Sequence, residues 1–178
     1  AAGFRKGDVI HNTFSYHLTP AGHMMEAGAH ACNCLVVPGG IGNTEQQLQA
    51  ITHIRPKGYV GTPSFLKILL EKGKELSIDV SSVTNAAVGG EALPPSLREY
   101  FHSYGIDVLQ SYGTADLGLV AYESPATEGM IIDEGVVVEI VRPGTGTPLQ
   151  DGEVGEVIVT SLNPVYPLIR FATGDLSA

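Results

Sequence analysis

The stretch "QSYGTADLG" (Gln110–Gly118) places an aromatic ring, a hydroxyl and a carboxylate close together. Tyr112 can stack on a base, Thr114 can donate a hydrogen bond to a phosphate oxygen, and Asp116 can hold Mg²⁺ beside that phosphate. The same residues also suit an ordinary turn, in which the tyrosine packs against a sheet and the aspartate caps a short helix. The stretch alone leaves both interpretations open.

Two other short loops also follow predicted strands, namely "GTPS" (Gly61–Ser64) and "GGEAL" (Gly89–Leu93). Ligands of open parallel sheets gather at the carboxyl ends of the strands, where helix N-termini and loop amides converge. Glycine allows the backbone to approach a flat or anionic group closely. We therefore expect the three loops to meet around one ligand.

The elements that position these loops alternate between strands and helices. Short apolar runs bounded by Gly or Pro predict buried strands in "CLVVPGG", "GYVGTPS", "NAAVGGE" and "DVLQSYG". Three helices have recognisable boundaries. The first starts at Asn43 or Thr44, the second starts at Thr62 before Pro63 and ends at Gly73, and the third ends at Gly105. This alternation predicts an α/β fold with a doubly wound, mainly parallel sheet and flanking helices.

The second part of the chain has a different pattern. "GMIIDEGVVVEIV" and "EVIVTSL" predict antiparallel strands, joined by a connection rich in Gly and Pro. We therefore divide the chain into an α/β subdomain at residues 1–124 and a small β-rich subdomain at residues 125–178. "MMEAGAHAC" has the small residues of a helix packed closely on a sheet, and no binding function is assigned to it.

The distribution of charge excludes one class of partner. The formal net charge is −9, and it lies entirely in residues 101–178, where Arg142 and Arg170 are the only basic residues. Nonspecific nucleic-acid binding depends on clustered Lys and Arg, so we expect none. No apolar run is long enough to predict a membrane span, and a cytoplasmic location is the default.

The cysteines raise the question of a metal site. His30, Cys32 and Cys34 form "HACNC", which supplies three ligands at cramped spacing. Structural zinc sites usually pair two separated half-sites, so buried cysteine acting as a small apolar residue is the preferred interpretation.

Four motifs in order then point to a family. "VGGEAL", "SYGTADLG", "GEVGEVIVTSL" and "YPLIRFATGDL" resemble the motif series of adenylate-forming acyl- and aryl-CoA ligases. The stretch from "LTPAGHMMEAG" through "GTPSFLKILLE" is similar to the phenylacetate-CoA ligase branch. The resemblance spans nearly the whole chain.

The resemblance implies a nucleotide-binding set of Gly89, Gly90, Glu91, Tyr112, Gly113 and Asp175. In such enzymes the "GGE" loop runs alongside the adenine of ATP or AMP, and the aromatic residue stacks on the adenine. The acid of "TGD" binds the ribose hydroxyls.

The resemblance also implies catalytic and substrate residues. Thr114 would meet the α-phosphate, and Asp116 would help to hold Mg²⁺. Glu is commoner than Asp at that motif position, so the shorter side chain requires a shifted metal or a bridging water. Tyr16, His17 and Gly61 would line the acid pocket, and since Gly is usual where His17 lies, the pocket wall is bulkier here.

The implied reaction activates a small carboxylic acid, aromatic by resemblance to the branch, with ATP to an acyl-adenylate and transfers the acyl group to coenzyme A. The phosphate loop and the lysine-bearing C-terminal domain of the family are absent from these residues, so we expect an inactive fragment. Two alternatives are a non-catalytic nucleotide-binding module and a hydrolase using Ser64. The hydrolase lacks the G-x-S-x-G turn and a well-placed histidine base.

Overall fold

The computed structural model describes residues 2–178, which form four helices and eleven strands. The helices are α1 (Ala21–Ala31), α2 (Thr44–Ile54), α3 (Pro63–Glu75) and α4 (Pro95–Ser103). The strands are β1 (Val9–Asn12), β2 (Leu35–Pro38), β3 (Gly58–Gly61), β4 (Asn85–Val88), β5 (Asp107–Thr114), β6 (Gly118–Glu123), β7 (Met130–Ile132), β8 (Val136–Arg142), β9 (Thr147–Pro148), β10 (Gly155–Ser161) and β11 (Phe171–Ser177).

The larger sheet has seven strands in the order β2-β1-β3-β4-β5-β6-β7. The first five are parallel, and β6 and β7 add antiparallel pairs beyond β5. This arrangement confirms the predicted mainly parallel α/β sheet. The carboxyl ends of β3, β4 and β5 lie at one edge, which brings the three predicted loops to the same end of the sheet.

Helices cover both faces of this sheet. On one face α2, α3 and α4 pack over an apolar cluster that includes Leu48, Leu66 and Phe101. On the other face α1 packs through Ala29 against Ile10. Each helix therefore buries its apolar side against the strands, as the doubly wound arrangement requires.

Helix α3 shows how the local sequence fixes an element. The hydroxyl of Thr62 accepts a hydrogen bond from the backbone N–H of Phe65 at 3.3 Å, and Pro63 occupies the first helical position. Both features match the predicted start. The helix continues to Glu75, beyond the predicted end at Gly73, because Gly73 is buried in the helix and packs against the segment that follows it.

Three strands differ from their predictions. Strand β1 was not predicted, since "VIHN" ends in two polar residues, His11 and Asn12, which the fold nevertheless buries. Strand β2, predicted as buried, is the sheet edge, and Leu35 is 63% exposed. Strand β5 extends through Thr114 because Tyr112–Thr114 pair with β6, so part of the predicted loop is a β-hairpin.

The second sheet is antiparallel, with the order β11-β10-β8-β9. It confirms the predicted antiparallel β layer. The strand β7, which follows residue 124, pairs with β6 and so belongs to the larger sheet. The division at residues 124 and 125 remains a prediction.

An apolar cluster joins the two sheets. Val120 of β6 is buried against Val157 and Val159 of β10, and Tyr112 packs on the same cluster. None of the helices in residues 2–178 has the length and apolar character needed to cross a membrane.

Candidate active site

A cavity of about 360 Å³ lies at the carboxyl ends of β4 and β5, on the face covered by α1. It is lined mainly by apolar atoms, and its residues come from four parts of the chain. They are Phe14, Thr19, Ala21, Met24, Met25, Gly28, Gly89, Gly90, Ser111, Gly113, Thr114, Ala115, Gly118 and Leu119. Such a concave apolar site with a few polar groups is typical of small-molecule binding.

The rim of the cavity depends on a close approach between β5 and β6. A side chain on Gly113 would place its Cβ 2.5 Å from the carbonyl oxygen of Gly118. The register between the strands shifts between Tyr112 and Gly113, which marks an irregularity in the pairing. Only glycine fits at position 113, and the backbone there stays open toward the cavity.

Thr114 lines the cavity at this rim. Its hydroxyl oxygen accepts a hydrogen bond from the backbone N–H of Leu117 at 3.1 Å. A hydroxyl that accepts one hydrogen bond still has its own proton to donate. Thr114 can therefore donate to an anionic group bound in the cavity.

Asp116 lies in the turn between β5 and β6, and its side chain is exposed. Within residues 2–178, His, Cys, Asp and Glu do not come together in any group of three or more that could hold a metal. The "HACNC" segment accordingly has no such cluster. Cys34 is buried and its thiol points to the carbonyl of Arg5, whereas Cys32 is exposed.

Tyr112 and Asp175 come together although they lie far apart in the sequence. The tyrosine hydroxyl donates to Oδ2 of Asp175 at 2.7 Å, and this bond links β5 to β11. Burial raises the pKa of Tyr112. The hydrogen bond to Asp175 and its negative charge also raise this pKa, against an opposing hydrogen bond with Thr173.

Glu91 has a connecting role in the structure. Its carboxylate accepts hydrogen bonds from the backbone N–H of Ser64 at 3.2 Å and from the Ser64 hydroxyl at 2.8 Å. It thereby sits at the N-terminus of α3, where a negative charge is stabilised. The backbone oxygen of Glu91 accepts from the side chain of Gln110 at 3.3 Å. These bonds connect the three predicted loops.

The hydrolase alternative finds no support in these contacts. The Ser64 hydroxyl bonds to Glu91 and lies 3.2 Å from the Thr62 hydroxyl. Among the hydrogen bonds of residues 2–178, none joins Ser64 to a histidine.

Three predicted pocket residues lie outside the cavity lining. Gly61 is buried where an added Cβ would collide with Thr13 Oγ1 and Tyr59 Oη, so packing explains this glycine. Tyr16 accepts a hydrogen bond from Asn12 at 2.8 Å, and its ring meets His23 edge to face. His17 is exposed.

Of the predicted nucleotide-binding residues, Gly89, Gly90 and Gly113 line the cavity, and so does Thr114, which was predicted to be catalytic. The sequence did not single out Phe14, Ser111 or the α1 residues as site residues, although Ser111 lies in the "SYGTADLG" motif and the α1 residues lie in the "LTPAGHMMEAG" stretch. The helix to which no binding function was assigned forms a whole wall of the cavity through Met24, Met25 and Gly28. Its methionines at adjacent positions were the available signal, since methionine is common at adaptable binding surfaces.

Comparisons with known proteins agree with this geometry. Residues 3–164 match the AMP-binding enzyme family. The phenylacetate-coenzyme A ligase of Escherichia coli K12 is 34% identical over 99% of this chain and 43% of its own length. That of Aromatoleum evansii is 32% identical over 99% of this chain and 42% of its own length.

Solved structures show the same fold. The 2-hydroxyisobutyryl-CoA ligase in complex with 2-HIB-AMP has a TM-score of 0.88 at 21% identity, covering 99% of this chain and 40% of that chain. The anthranilate CoA ligase AuaEII in complex with anthranoyl-AMP has a TM-score of 0.76 at 19% identity. This match covers 98% of this chain and 38% of that chain.

The sheet order, the second antiparallel sheet and these likenesses define the fold of the acyl-CoA ligases. The chain belongs to the AMP-binding enzyme family. It spans about two fifths of the length of the phenylacetate-CoA ligases that it matches. The resemblance identified from the motifs is thus confirmed.

Proposed function

We propose that the chain is part of an AMP-forming ligase that activates an aromatic carboxylic acid with ATP and transfers it to coenzyme A in the cytoplasm. The observation that carries this proposal is the apolar cavity opening at Thr114 and at the glycine loop Gly89–Gly90. An apolar wall suits an aromatic acid, and the polar rim suits a phosphate. The phenylacetate-CoA ligase relatives support the aromatic class.

The proposed reaction has two steps. A carboxylate oxygen attacks the α-phosphorus of ATP, the bond to pyrophosphate breaks, and pyrophosphate leaves. The thiol sulfur of coenzyme A then attacks the acyl carbon, AMP leaves, and the thiol proton passes to solvent. Because two anions must meet in the first step, catalysis depends on positioning and on hydrogen bonds to the phosphate. Thr114 supplies one such bond in this proposal.

The pair formed by Tyr112 and Asp175 suits the binding of the ribose and adenine of ATP. The Tyr112 hydroxyl occupies Oδ2 of Asp175, which leaves Oδ1 able to accept from a ribose hydroxyl. A carboxylate bonded to a neutral hydroxyl forms a charge-assisted hydrogen bond, roughly twice as strong as a neutral one. Gly90 then provides open backbone beside the adenine.

The residues present fit a magnesium ion bound with its nucleotide. Asp116 offers one exposed carboxylate, two residues from Thr114. Magnesium is usually held by one or two carboxylates together with substrate phosphates and water, and it needs no cluster of protein ligands. Bound there, the ion would neutralise phosphate charge.

The experiment uses the methionine methyl groups as reporters. Met24 and Met25 line the cavity, whereas Met130 lies on β7 away from it. We expect a non-hydrolysable phenylacetyl-adenylate analogue to shift the ¹³C-methyl NMR signals of Met24 and Met25 and to leave Met130 unchanged. The absence of any shift at millimolar analogue would refute binding at this cavity.

A variant tests the phosphate role. We expect Thr114→Val to weaken binding of the analogue by tenfold or more, since a hydrogen bond to a charged group is worth roughly 1.5 to 3 kcal/mol. Thr84→Val is the matched control, because Thr84 is exposed before β4 at the opposite end of the sheet. Equal affinity of the two variants would remove Thr114 from the site. We expect the 178-residue chain alone to bind without pyrophosphate exchange.

A further inference from the structure

The loop between β4 and α4, residues 89–94, is anchored at both ends. Gly89, which lines the cavity, donates its backbone N–H to the carbonyl of Gly61 at 3.1 Å. Leu93 is 7% exposed and belongs to the apolar cluster beneath α2, α3 and α4. Residues 90–92 lie between these anchors and are all exposed. Burial therefore does not hold the middle of the loop.

Glu91 supplies the hydrogen bonds of this middle part. Its carboxylate accepts from the backbone N–H and the hydroxyl of Ser64, at 3.2 and 2.8 Å, and its carbonyl accepts from the side chain of Gln110. Among the hydrogen bonds of residues 2–178, none but these three connects residues 90–92 to another part of the chain. Two of the three depend on the Glu91 side chain, so this side chain is the main attachment of the loop between its ends.

The contact with Ser64 also completes the N-terminus of α3. The backbone N–H groups in the first turn of a helix have no partner within the helix. Pro63 has no N–H, and Phe65 donates to the Thr62 hydroxyl, which leaves Ser64 to donate to Glu91. Negative charge is favoured at this end of a helix. Helix α3 thus receives one cap from its own N-cap residue and a second from the loop.

Helix α3 is a fixed support for the loop. Leu66 and Leu69 are buried in the apolar cluster on the sheet, so a loop residue tied to the first turn of α3 is held relative to the sheet. Gly90, next to Glu91, lines the cavity and has a φ of 76°, in the left-handed region. Glycine has the most conformational freedom to lose. Ordering it in advance lowers the entropy cost that a ligand would otherwise meet on binding.

We infer that Glu91 is a positioning residue for the nucleotide, acting through Ser64, and this inference rests on the proposed function. Among the described residues, Glu91 is not one that lines the cavity, since its carboxylate is bonded to the start of α3. It orders the backbone of Gly90 beside the adenine before the nucleotide binds. The two glycines of "GGE" form part of the cavity wall, and the glutamate fixes their position.

The experiment compares the affinity of the phenylacetyl-adenylate analogue for four chains by calorimetry. They are the unsubstituted chain, Glu91→Ala, Ser64→Ala and the double variant. We expect Glu91→Ala to weaken binding about fivefold, the lower end of the cost of fixing the backbone of one residue. Ser64→Ala removes the hydroxyl and keeps the backbone N–H, so we expect a loss of about threefold. The double variant should lose no more than Glu91→Ala, because both changes remove the same contact.

Asp79→Ala is the matched control. Asp79 is exposed in the segment before β4, at the opposite end of the sheet, and accepts the backbone N–H of Ser81 at 2.9 Å. Its loss removes a contact between a carboxylate and a serine without touching the loop, so the affinity should not change. Glu91→Gln keeps an acceptor oxygen for Ser64, and it should restore part of the affinity lost in Glu91→Ala.

A second measurement needs no ligand. The ¹⁵N order parameter of the Gly90 amide reports motion of the loop on the picosecond-to-nanosecond timescale. We expect this order parameter to fall in ligand-free Glu91→Ala and to recover when the analogue binds, while Asp79→Ala matches the unsubstituted chain. A change in global stability alone would alter neither the Gly90 order parameter nor the affinity of the folded chain.

The outcomes separate this inference from the proposed function. Equal affinity of Glu91→Ala and the unsubstituted chain, or an unchanged Gly90 order parameter, would overturn the inference alone. A double variant whose loss is the product of the two single losses would also overturn it, since Glu91 would then act independently of Ser64. Failure of the unsubstituted chain to bind the analogue would overturn both proposals. A double variant no weaker than Glu91→Ala, with a silent control, would support the inference.

Discussion

Tyr112 performs two tasks with one side chain. Its ring packs on the apolar cluster between the two sheets, and its hydroxyl donates to Asp175. The first task is the plain structural interpretation of the "SYGTADLG" motif, and the second brings the two ends of the proposed nucleotide site together. One side chain can do both because it has an apolar body and a polar tip, and stacking of the Tyr112 ring on a base stays a prediction.

The link between Tyr112 and Asp175 can be tested through the tyrosine pKa. We expect Asp175→Asn to lower the raised pKa of Tyr112 part of the way toward its usual value, since the nearby negative charge is lost while burial remains. The measurement is a pH titration of the Tyr112 ¹³Cζ NMR signal. Asp151→Asn, an exposed change in the loop after β9, should have no effect. An unchanged Tyr112 titration in Asp175→Asn would show that the two groups do not interact in solution.

At the scale of the element, β1 illustrates what local pattern leaves out. Its His11 is buried, and the ring Nε2 donates to Oε1 of Gln47 at 2.7 Å. The Gln47 amide nitrogen donates to the carbonyls of Gly40 and Gly42, which fixes the side-chain oxygen as the acceptor for His11. The apolar pattern predicts β3, β4 and β5, but it misses β1 because the partner of this histidine is 36 residues away. Tertiary hydrogen bonding decides such a strand, and single-sequence periodicity does not contain it.

Burial of His11 predicts a pH dependence of stability. Desolvation lowers its pKa below 6.5, although the hydrogen bond with Gln47 opposes this effect. His11 therefore binds a proton more readily in the unfolded chain than in the folded one. Its contribution to the unfolding free energy is fully present above pH 6.5 and is lost as the pH falls below that value. We expect the unfolding free energy to drop between pH 7.5 and 5.5, with a slope of at most about 1.4 kcal/mol per pH unit from this group.

Urea denaturation at several pH values measures that slope. His11→Gln should flatten it, whereas His30→Gln, an exposed change on α1, should leave it unchanged. The same slope in His11→Gln as in the unsubstituted chain would assign the pH dependence to other groups.

An ion pair between Arg98 and Glu123 holds β5 at the point where its pairing partner changes from β4 to β6. Arg98 of α4 donates to both carboxylate oxygens of Glu123 at 2.7 and 2.8 Å and to the carbonyl of Val108 at 2.7 Å. Glu123 also accepts the backbone N–H of Gln110 at 2.7 Å. Gln110 pairs with β4, and the next residue pairs with β6, so this N–H lies at the change from parallel to antiparallel pairing.

Removing Arg98 should therefore be costly. The Arg98 and Glu123 side chains are 20% and 10% exposed, so Arg98→Met leaves a carboxylate largely buried without its partner. We expect a loss of about 2 to 4 kcal/mol in unfolding free energy, slightly below the range for a fully buried pair. Lys67→Met, which breaks an exposed pair on α3, is the control and should cost less than about 0.5 kcal/mol. Equal losses in the two variants by urea denaturation would contradict a special role for Arg98.

At the scale of the whole molecule, the sequence predicted the α/β layer and the antiparallel sheet better than the contacts between them. The α/β alternation, the antiparallel second sheet and the glycine loops follow from local patterns and family motifs. The cavity wall on α1 and the bond between Tyr112 and Asp175 depend on how distant segments meet. Contacts of that kind are set by packing between layers, which a single sequence encodes only through residues far apart in the chain.

The apolar cluster that connects the two sheets leads to a prediction about the cooperativity of unfolding. Val159 of β10 is fully buried in the cluster that connects the two sheets. We expect Val159→Ala to cost about 2 kcal/mol, from the loss of two methyl groups and the cavity left behind. If the sheets unfold as one unit, hydrogen exchange should accelerate at Ala86 and Val88 of β4 as well as in β10. Val137→Ala on β8 is the matched control, because Val137 is 49% exposed and should cost much less. Faster exchange confined to the second sheet would show two independent folding units joined only by surface contact.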